Sequence, residues 1–516
     1  MTLRGAVMVC GTASDVGKSR IVAGLCRVLA RRLVRVAPFK AQNMALNSFV
    51  TSSGHEIARS QAHQAVAART VPEVDMNPVL LKPAGETTSQ LVVMGRPAGE
   101  IGVDDYGAAK EELFATVSSA LARLRSRYDV VVAEGAGGAA EINLLEGDIV
   151  NLPLAKRAVL PVVLVGDIER GGVFASIYGT VALLPDDLRA QLRGFVVNKL
   201  RGEARLLRPG ITELEQRCGL TCLGIIPHLG ELVIDAEDSL ALEHRGAHGD
   251  LYPRADPLDV AVIRLPHMSN FTDFDPLALE PGVTLRYVAH SGQLGDPDLV
   301  VLPGSKATVA DLVWMRERGL DGAIGAARRR KSALLGICAG YQMLGTTILD
   351  EIESRAGEVA GLGLLRATTT FHAGKCTRQR HGVDGAGNEV SGYEIHHGHP
   401  SPAPPHANWF VLDEAGRVEE GVADPSQGIW ATSLHGLFES DGLRRSFLSE
   451  VAARRGKSFV AAPVSFAALR EAEIDEFADA LEANLDLETV FGIIAEGAPQ
   501  PQPAASVRQG ETRIEW

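Results

Sequence analysis

Cysteine is scarce in this chain, with six in 516 residues. Disulfide frameworks belong to short chains dense in cysteine, so this fold must rest on apolar cores. Aromatic residues are also few, at 5%. No apolar run approaches the roughly 18 residues of a bilayer-spanning helix, so no such helix is expected. Long basic runs are missing and the formal net charge is −13. Clustered Lys and Arg hold nucleic acid phosphates, and their absence argues against such a partner. An anionic small substrate stays compatible, because a local basic pocket can sit in an acidic protein. Met1 to Gly11 leads straight into a glycine-rich turn and lacks the cleavage pattern of a secretory leader. A cytoplasmic protein is expected, and homo-oligomerisation is left open.

Glycine, by contrast, is plentiful, with 54 residues, and apolar residues make up 46%. The length exceeds one ordinary core, so two large domains are expected. Short β-like runs alternate with helical stretches. Ala6–Cys10, Val34–Phe39, Val130–Ala133, Val159–Val165, Gly194–Asn198 and Leu223–Ile226 read as buried strands. Between the first two, Ile21, Val22, Leu25, Val28 and Leu29 recur at helical spacing over Ser19–Leu33. Such alternation predicts an α/β fold with a parallel sheet covered on both faces. The pattern breaks over 235–257, which is charged and rich in Gly, His and Pro, and reads as a linker. A second α/β series follows in Val260–Leu265, Thr284–Ala289, Leu299–Leu302 and Ala333–Ile337. The predicted division is a first domain over 1–234, a second over 258–496, and a Pro- and Gln-rich disordered tail over 497–516.

Two sites stand out. Gly11-Thr12-Ala13-Ser14-Asp15-Val16-Gly17-Lys18-Ser19 joins the first strand to the first helix. Glycines let backbone N–H groups face a phosphate, and the helix N-terminus adds partial positive charge. Lys18 is suited to neutralise β/γ-phosphates and the Ser19 hydroxyl to hold Mg²⁺. Five residues separate Gly11 from Gly17, where the usual loop has four. Glu134 ends a strand before Gly135-Ala136-Gly137-Gly138. Ligands of open α/β sheets bind at that edge, and a carboxylate there suits Mg²⁺. Glu56 is a weaker metal candidate.

The second site is Gly336-Ile337-Cys338-Ala339-Gly340, where a strand runs into a helix. Glycines flanking the cysteine permit a sharp turn that lifts the thiol above the sheet edge. The helix N-terminus favours thiolate. Such a cysteine needs a distant histidine as base, and His435 in Ser433-Leu434-His435-Gly436 is the best candidate. The alternative, a buried structural cysteine, leaves Gly336 and Gly340 unexplained. His396, His397 and His399 lie close together, yet no further ligands complete a zinc set. A loop near the cysteine fits them better.

The five-residue loop spacing resembles that of dethiobiotin synthetase and its relatives. That resemblance implies a second phosphate-contacting lysine, matched by Lys40, and places Asn198 near the adenine. The cysteine turn resembles class I, or triad-type, glutamine amidotransferases, which implies a flavodoxin-like second domain. It also implies an oxyanion hole from Ala339 and from the Val301-Leu302-Pro303-Gly304-Ser305 loop, at Gly304 and Ser305. That class usually has Glu two residues after the histidine, and Leu437 stands there instead. Glu439 is the nearest acid, so a Cys338–His435 dyad is expected with its orienting group open. Pro38-Phe39-Lys40-Ala41-Gln42-Asn43-Met44-Ala45-Leu46-Asn47-Ser48, Met76-Asn77-Pro78, Gly166-Asp167-Ile168-Glu169-Arg170-Gly171-Gly172 and Gly392-Tyr393-Glu394-Ile395-His396 together resemble the cobyric acid synthase family. The implied activity is ATP- and glutamine-dependent amidation of the b, d, e and g carboxylates of adenosylcobyrinic acid a,c-diamide, in cobalamin biosynthesis. ATP, glutamine and Mg²⁺ are then required, and no tightly bound organic cofactor is expected. The alternatives are a cobyrinic acid a,c-diamide synthase and a partitioning-type ATPase. The latter carries a lysine just after the first loop glycine, where this chain has Thr12.

Overall fold

The computed structural model describes residues 3–83, 87–230, 256–414 and 416–497. The expected linker up to residue 255 and the expected tail beyond residue 497 lie outside the described residues.

In the first half, six apolar runs form one parallel sheet. They are β1 (Gly5–Gly11), β2 (Val36–Lys40), β3 (Val130–Glu134), β4 (Val162–Asp167), β5 (Leu192–Leu200) and β6 (Thr221–Pro227). Their spatial order is β6-β5-β4-β1-β3-β2. Side chains alternate across the sheet. Ala6, Met8 and Cys10 of β1 enter the core on one face, and Val7 and Val9 the core on the other. Near-continuous apolar strands are what burial on both faces demands. The first strand ends in the phosphate-type loop, and α1 (Lys18–Arg31) begins directly after Gly17, whose φ of 96° favours glycine.

In the second half, β7 (Leu258–Ile263), β8 (Val283–Val288), β9 (Leu299–Leu302) and β10 (Ala333–Ile337) run parallel. After β10 comes the short α2 (Ala339–Leu344). A long antiparallel ribbon, β11 (Ala367–Asp384) with β12 (Glu389–Pro402), then leaves the main sheet. The chain returns through β13 (Val422–Asp424) and β14 (Ile429–Thr432), completing the order β8-β7-β9-β10-β14-β13. The histidine trio expected on a loop lies instead on β12.

The expected domain boundary needs correction at the C-terminal end. The helices α3 (Phe466–Asn484) and α4 (Leu487–Glu496) belong to the first core, not the second. Ile474, Phe477, Leu481, Val490 and Ile493 are buried among Val7, Ile21, Leu25 and Leu29. Gly24 of α1 makes room: a Cβ there would lie 2.7 Å from the Phe477 ring. Arg27, fully buried on α1, donates to Glu471 at 2.7 Å and to Asp475 at 3.0 Å on α3. These two helices therefore cover the same face of the sheet as α1.

Candidate active sites in the two halves

Ser19, Lys40 and Glu134 converge at the C-terminal edge of the first sheet. Glu134 Oε1 accepts from Ser19 Oγ and from Lys40 Nζ, both at 2.8 Å. Register explains the pairing, because Lys40 of β2 lies directly beside Glu134 of β3. Gln64, which no motif singled out, donates to Glu134 Oε2 at 2.5 Å. Lys18 Nζ reaches across the loop to the carbonyls of Ala13 and Gly137, each at 3.0 Å. Thr12 N–H donates to Val165 O, and Gly11 O accepts from Ala139 N–H, so the loop is pinned to its neighbours. Asn198 Nδ2 donates to Val16 O at 2.9 Å and packs against Gly17, so Asn198 buttresses the loop. A hydroxyl and a carboxylate meeting beside two lysines form a hard-oxygen donor set that fits Mg²⁺ with phosphate.

Glu56 is not part of this cluster. Its Oε1 accepts from Lys82 and Ser48, both at 2.8 Å, and its Oε2 from Lys375 at 2.6 Å. Burial opposes its ionisation, yet Lys375 and Lys82 outweigh burial and hold the carboxyl below its usual range. Burial pushes Lys82 down to about 8. With both oxygens held by ammonium groups, Glu56 is an ion-pair partner between the halves, and its reading as a metal ligand is corrected.

Cys338 sits on the turn from β10 to α2 with φ 53° and ψ −109°, a backbone state that non-glycine residues rarely adopt. The two flanking glycines have steric reasons. A Cβ at Gly336 would come within 2.8 Å of the Gly340 carbonyl carbon, and one at Gly340 would collide with Leu302 O. His435 follows β14, the strand beside β10, and its imidazole feels the charge of the Cys338 side chain. Gly304 packs against the same ring, where a Cβ would stand 2.8 Å from His435 Cε1. Ser305 Oγ donates to Asp311 at 2.6 Å, fixing the loop that follows β9. Ala339 is the first residue of α2, so its N–H is a free helix-terminal donor by position.

Asp273 is the carboxylate that holds His435, and it fills the place left open beside the expected Cys338–His435 dyad. His435 Nδ1 donates to Asp273 Oδ2 at 2.7 Å, and Gly436 N–H donates to Asp273 Oδ1 at 2.8 Å. Asp273 lies in the short 3-10 turn Phe271–Phe274 and is buried. Burial disfavours the imidazolium, but the Asp273 carboxylate, followed by Cys338, outweighs it and raises His435 to about 10. Glu439 is occupied elsewhere, by Arg59 and Arg470. Tyr393 stacks on His435 with ring centroids 5.6 Å apart and planes 29° apart. Asp273 lies far from His435 in the sequence, with its setting among the aromatics of Phe271-Thr272-Asp273-Phe274 as a weak local signal, while Tyr393 falls within the Gly392–His396 motif.

Cys376, Glu394 and His396 bring ligand atoms within 4.8 Å of one another. Arg378 donates to the thiol and Arg380 to the carboxylate, so two guanidinium cations already neutralise that place. A divalent cation does not fit it.

A phosphate-binding loop with a lysine–carboxylate cluster, fused to a cysteine–histidine–aspartate centre on a strained elbow, defines an ATP-dependent glutamine amidotransferase. Residues 7–240 match the CobQ/CobB/MinD/ParA nucleotide binding domain, and residues 259–443 match the CobB/CobQ-like glutamine amidotransferase domain. A cobyric acid synthase of Nocardia farcinica is 49% identical over 98% of this chain and 100% of its own length. One of Streptomyces coelicolor is 49% identical over 97% of this chain and 98% of its own. One of Rhodococcus jostii is 48% identical over the same shares. The chain belongs to the cobyric acid synthase family. Among the described residues no helix is long and apolar enough to cross a membrane.

Proposed function

We propose that this chain uses ATP and glutamine-derived ammonia to amidate the b, d, e and g carboxylates of adenosylcobyrinic acid a,c-diamide. The joining of the two clusters in one chain supports the chemistry, and the full-length similarity to cobyric acid synthases supports the corrin substrate.

In the second half, the Cys338 thiolate attacks the glutamine side-chain amide. Its oxyanion is received by N–H groups at Ala339 and the Gly304–Ser305 loop. His435, held by Asp273, gives a proton to the leaving nitrogen. Ammonia departs, and water hydrolyses the thioester to release glutamate and free Cys338. In the first half, a corrin carboxylate attacks the γ-phosphate of ATP, giving an acyl phosphate and ADP. Lys18 and Lys40 neutralise the transferred phosphoryl group, while Ser19 and Glu134 would hold Mg²⁺ against the phosphates. Ammonia then displaces phosphate from the acyl carbon and the amide remains. Activation is needed because a carboxylate oxygen is a poor leaving group.

The test is to incubate the protein with ATP, Mg²⁺, glutamine and the a,c-diamide and follow product mass. Four successive amidations are expected. Amidation of cobyrinic acid at only two carboxylates would instead favour a cobyrinic acid a,c-diamide synthase.

A further inference from the structure

The segment following Lys40 runs to Ser48, at the boundary between the halves. Both backbone groups of Ser48 are held by the second half. Its N–H donates to Asn270 Oδ1 at 2.8 Å, and its carbonyl accepts from Tyr393 Oη at 2.8 Å. Asn47 completes a reciprocal clamp, its Oδ1 accepting from Phe271 N–H at 3.0 Å. Ser48, Asn47 and Asn270 are all buried.

These two anchors reach the two groups that set His435. Asn270, left-handed at φ 53°, caps the turn that carries Asp273 three residues on. Tyr393 stacks on the imidazole, and its backbone exchanges two hydrogen bonds with that of His435, at 3.0 and 2.9 Å. Ser48 Oγ also lies in the Glu56–Lys82 cluster. One residue of the nucleotide-binding half therefore ties down both the carboxylate and the ring that position the glutaminase base.

We propose that Ser48 is a positioning residue for the glutaminase, acting through Asn270 on Asp273 and through Tyr393 on His435. The proposal rests on the reading of Cys338, His435 and Asp273 as the glutaminase centre. Its physical basis is that a displaced base loses rate steeply while substrate binding is little altered.

Tyr393→Phe keeps the stacked ring and removes the hydroxyl that anchors to Ser48; Asn270→Gly removes the other anchor and suits the left-handed backbone. Each variant is expected to lower glutaminase kcat about 10-fold, with KM for glutamine within about 2-fold. Alkylation of Cys338 by iodoacetamide, followed by mass, should slow in parallel, since it reads the reactivity of the sulfur beside His435 without glutamine. Synthesis from ammonium salts should stay close to wild type. Unchanged kcat and alkylation in both variants would overturn the proposal. Equal losses in glutaminase and ammonia-driven synthesis would also overturn it, because the clamp would then merely hold the fold. Full glutaminase activity in Cys338→Ala would instead overturn the parent reading, a result distinguishable from both.

Discussion

Asp273 precedes the histidine that it orients by 162 residues. That distance explains why the cysteine and the histidine were legible in the sequence and the aspartate was not. Cys338 is marked by Gly336 and Gly340, whose missing side chains the elbow requires, and His435 by a short strand before it. Its setting among the aromatics of 271–274 marks Asp273 only weakly, and the packing of that turn against His435 brings it into place. Asp273→Asn should lower glutaminase kcat by about 10²- to 10⁴-fold, because the imidazole loses both its orientation and its counter-charge. Glu439→Gln should leave glutaminase within about 3-fold of wild type, as its ion pairs with Arg59 and Arg470 are partly exposed. The reverse ranking in a steady-state assay would contradict the triad. Titration adds a second check. The His435 pKa is raised from 6.5 to about 10, so the pairing stabilises the fold fully below pH 6.5 and is lost as pH rises through about 10. Denaturation midpoints of wild type and Asp273→Asn should therefore differ most in mildly acidic solution and converge at high pH.

At the level of elements, the strands were readable because both faces of each sheet are buried. The run Ala6–Cys10 divides its side chains between two cores, which requires apolar residues at every position. The phosphate loop was readable because Gly17 and Lys18 serve local backbone geometry. The final helices were harder. Helical periodicity shows that one face of Phe466–Asn484 is apolar but not which core receives it. The partner is specified by shape at Gly24 and by charge at Arg27, Arg31 and Arg32, which meet Glu471, Asp475, Asp479 and Glu482. Phe477→Ala should cost about 3–5 kcal/mol of stability in the nucleotide-binding half. Denaturant unfolding reported by nucleotide binding checks this; a loss confined to the glutaminase half would contradict the assignment of these helices.

Across the whole molecule, the two halves meet at a buried polar boundary. Glu56 joins it as the acceptor for Lys82 and for Lys375 from the second half. Glu56→Gln leaves two buried ammonium groups without their counter-charge, and should cost about 3 kcal/mol. Because the folded carboxyl is held below its usual 4.5, its contribution is present above that pH and is lost as pH falls below it. The variant should therefore show a weaker acid dependence of stability than wild type in pH-dependent denaturation; an equal dependence would place the acid-sensitive contact elsewhere. The division of labour between the halves is tested most directly by Cys338→Ala, assayed for corrin amidation with glutamine and then with ammonium salts. Glutamine-driven synthesis should vanish while ammonium-driven synthesis persists and rises with pH toward the pKa of ammonium, and Lys18→Ala should lose both. Full glutamine-driven synthesis in Cys338→Ala, or a folded Cys338→Ala that ammonia cannot rescue, would contradict the account.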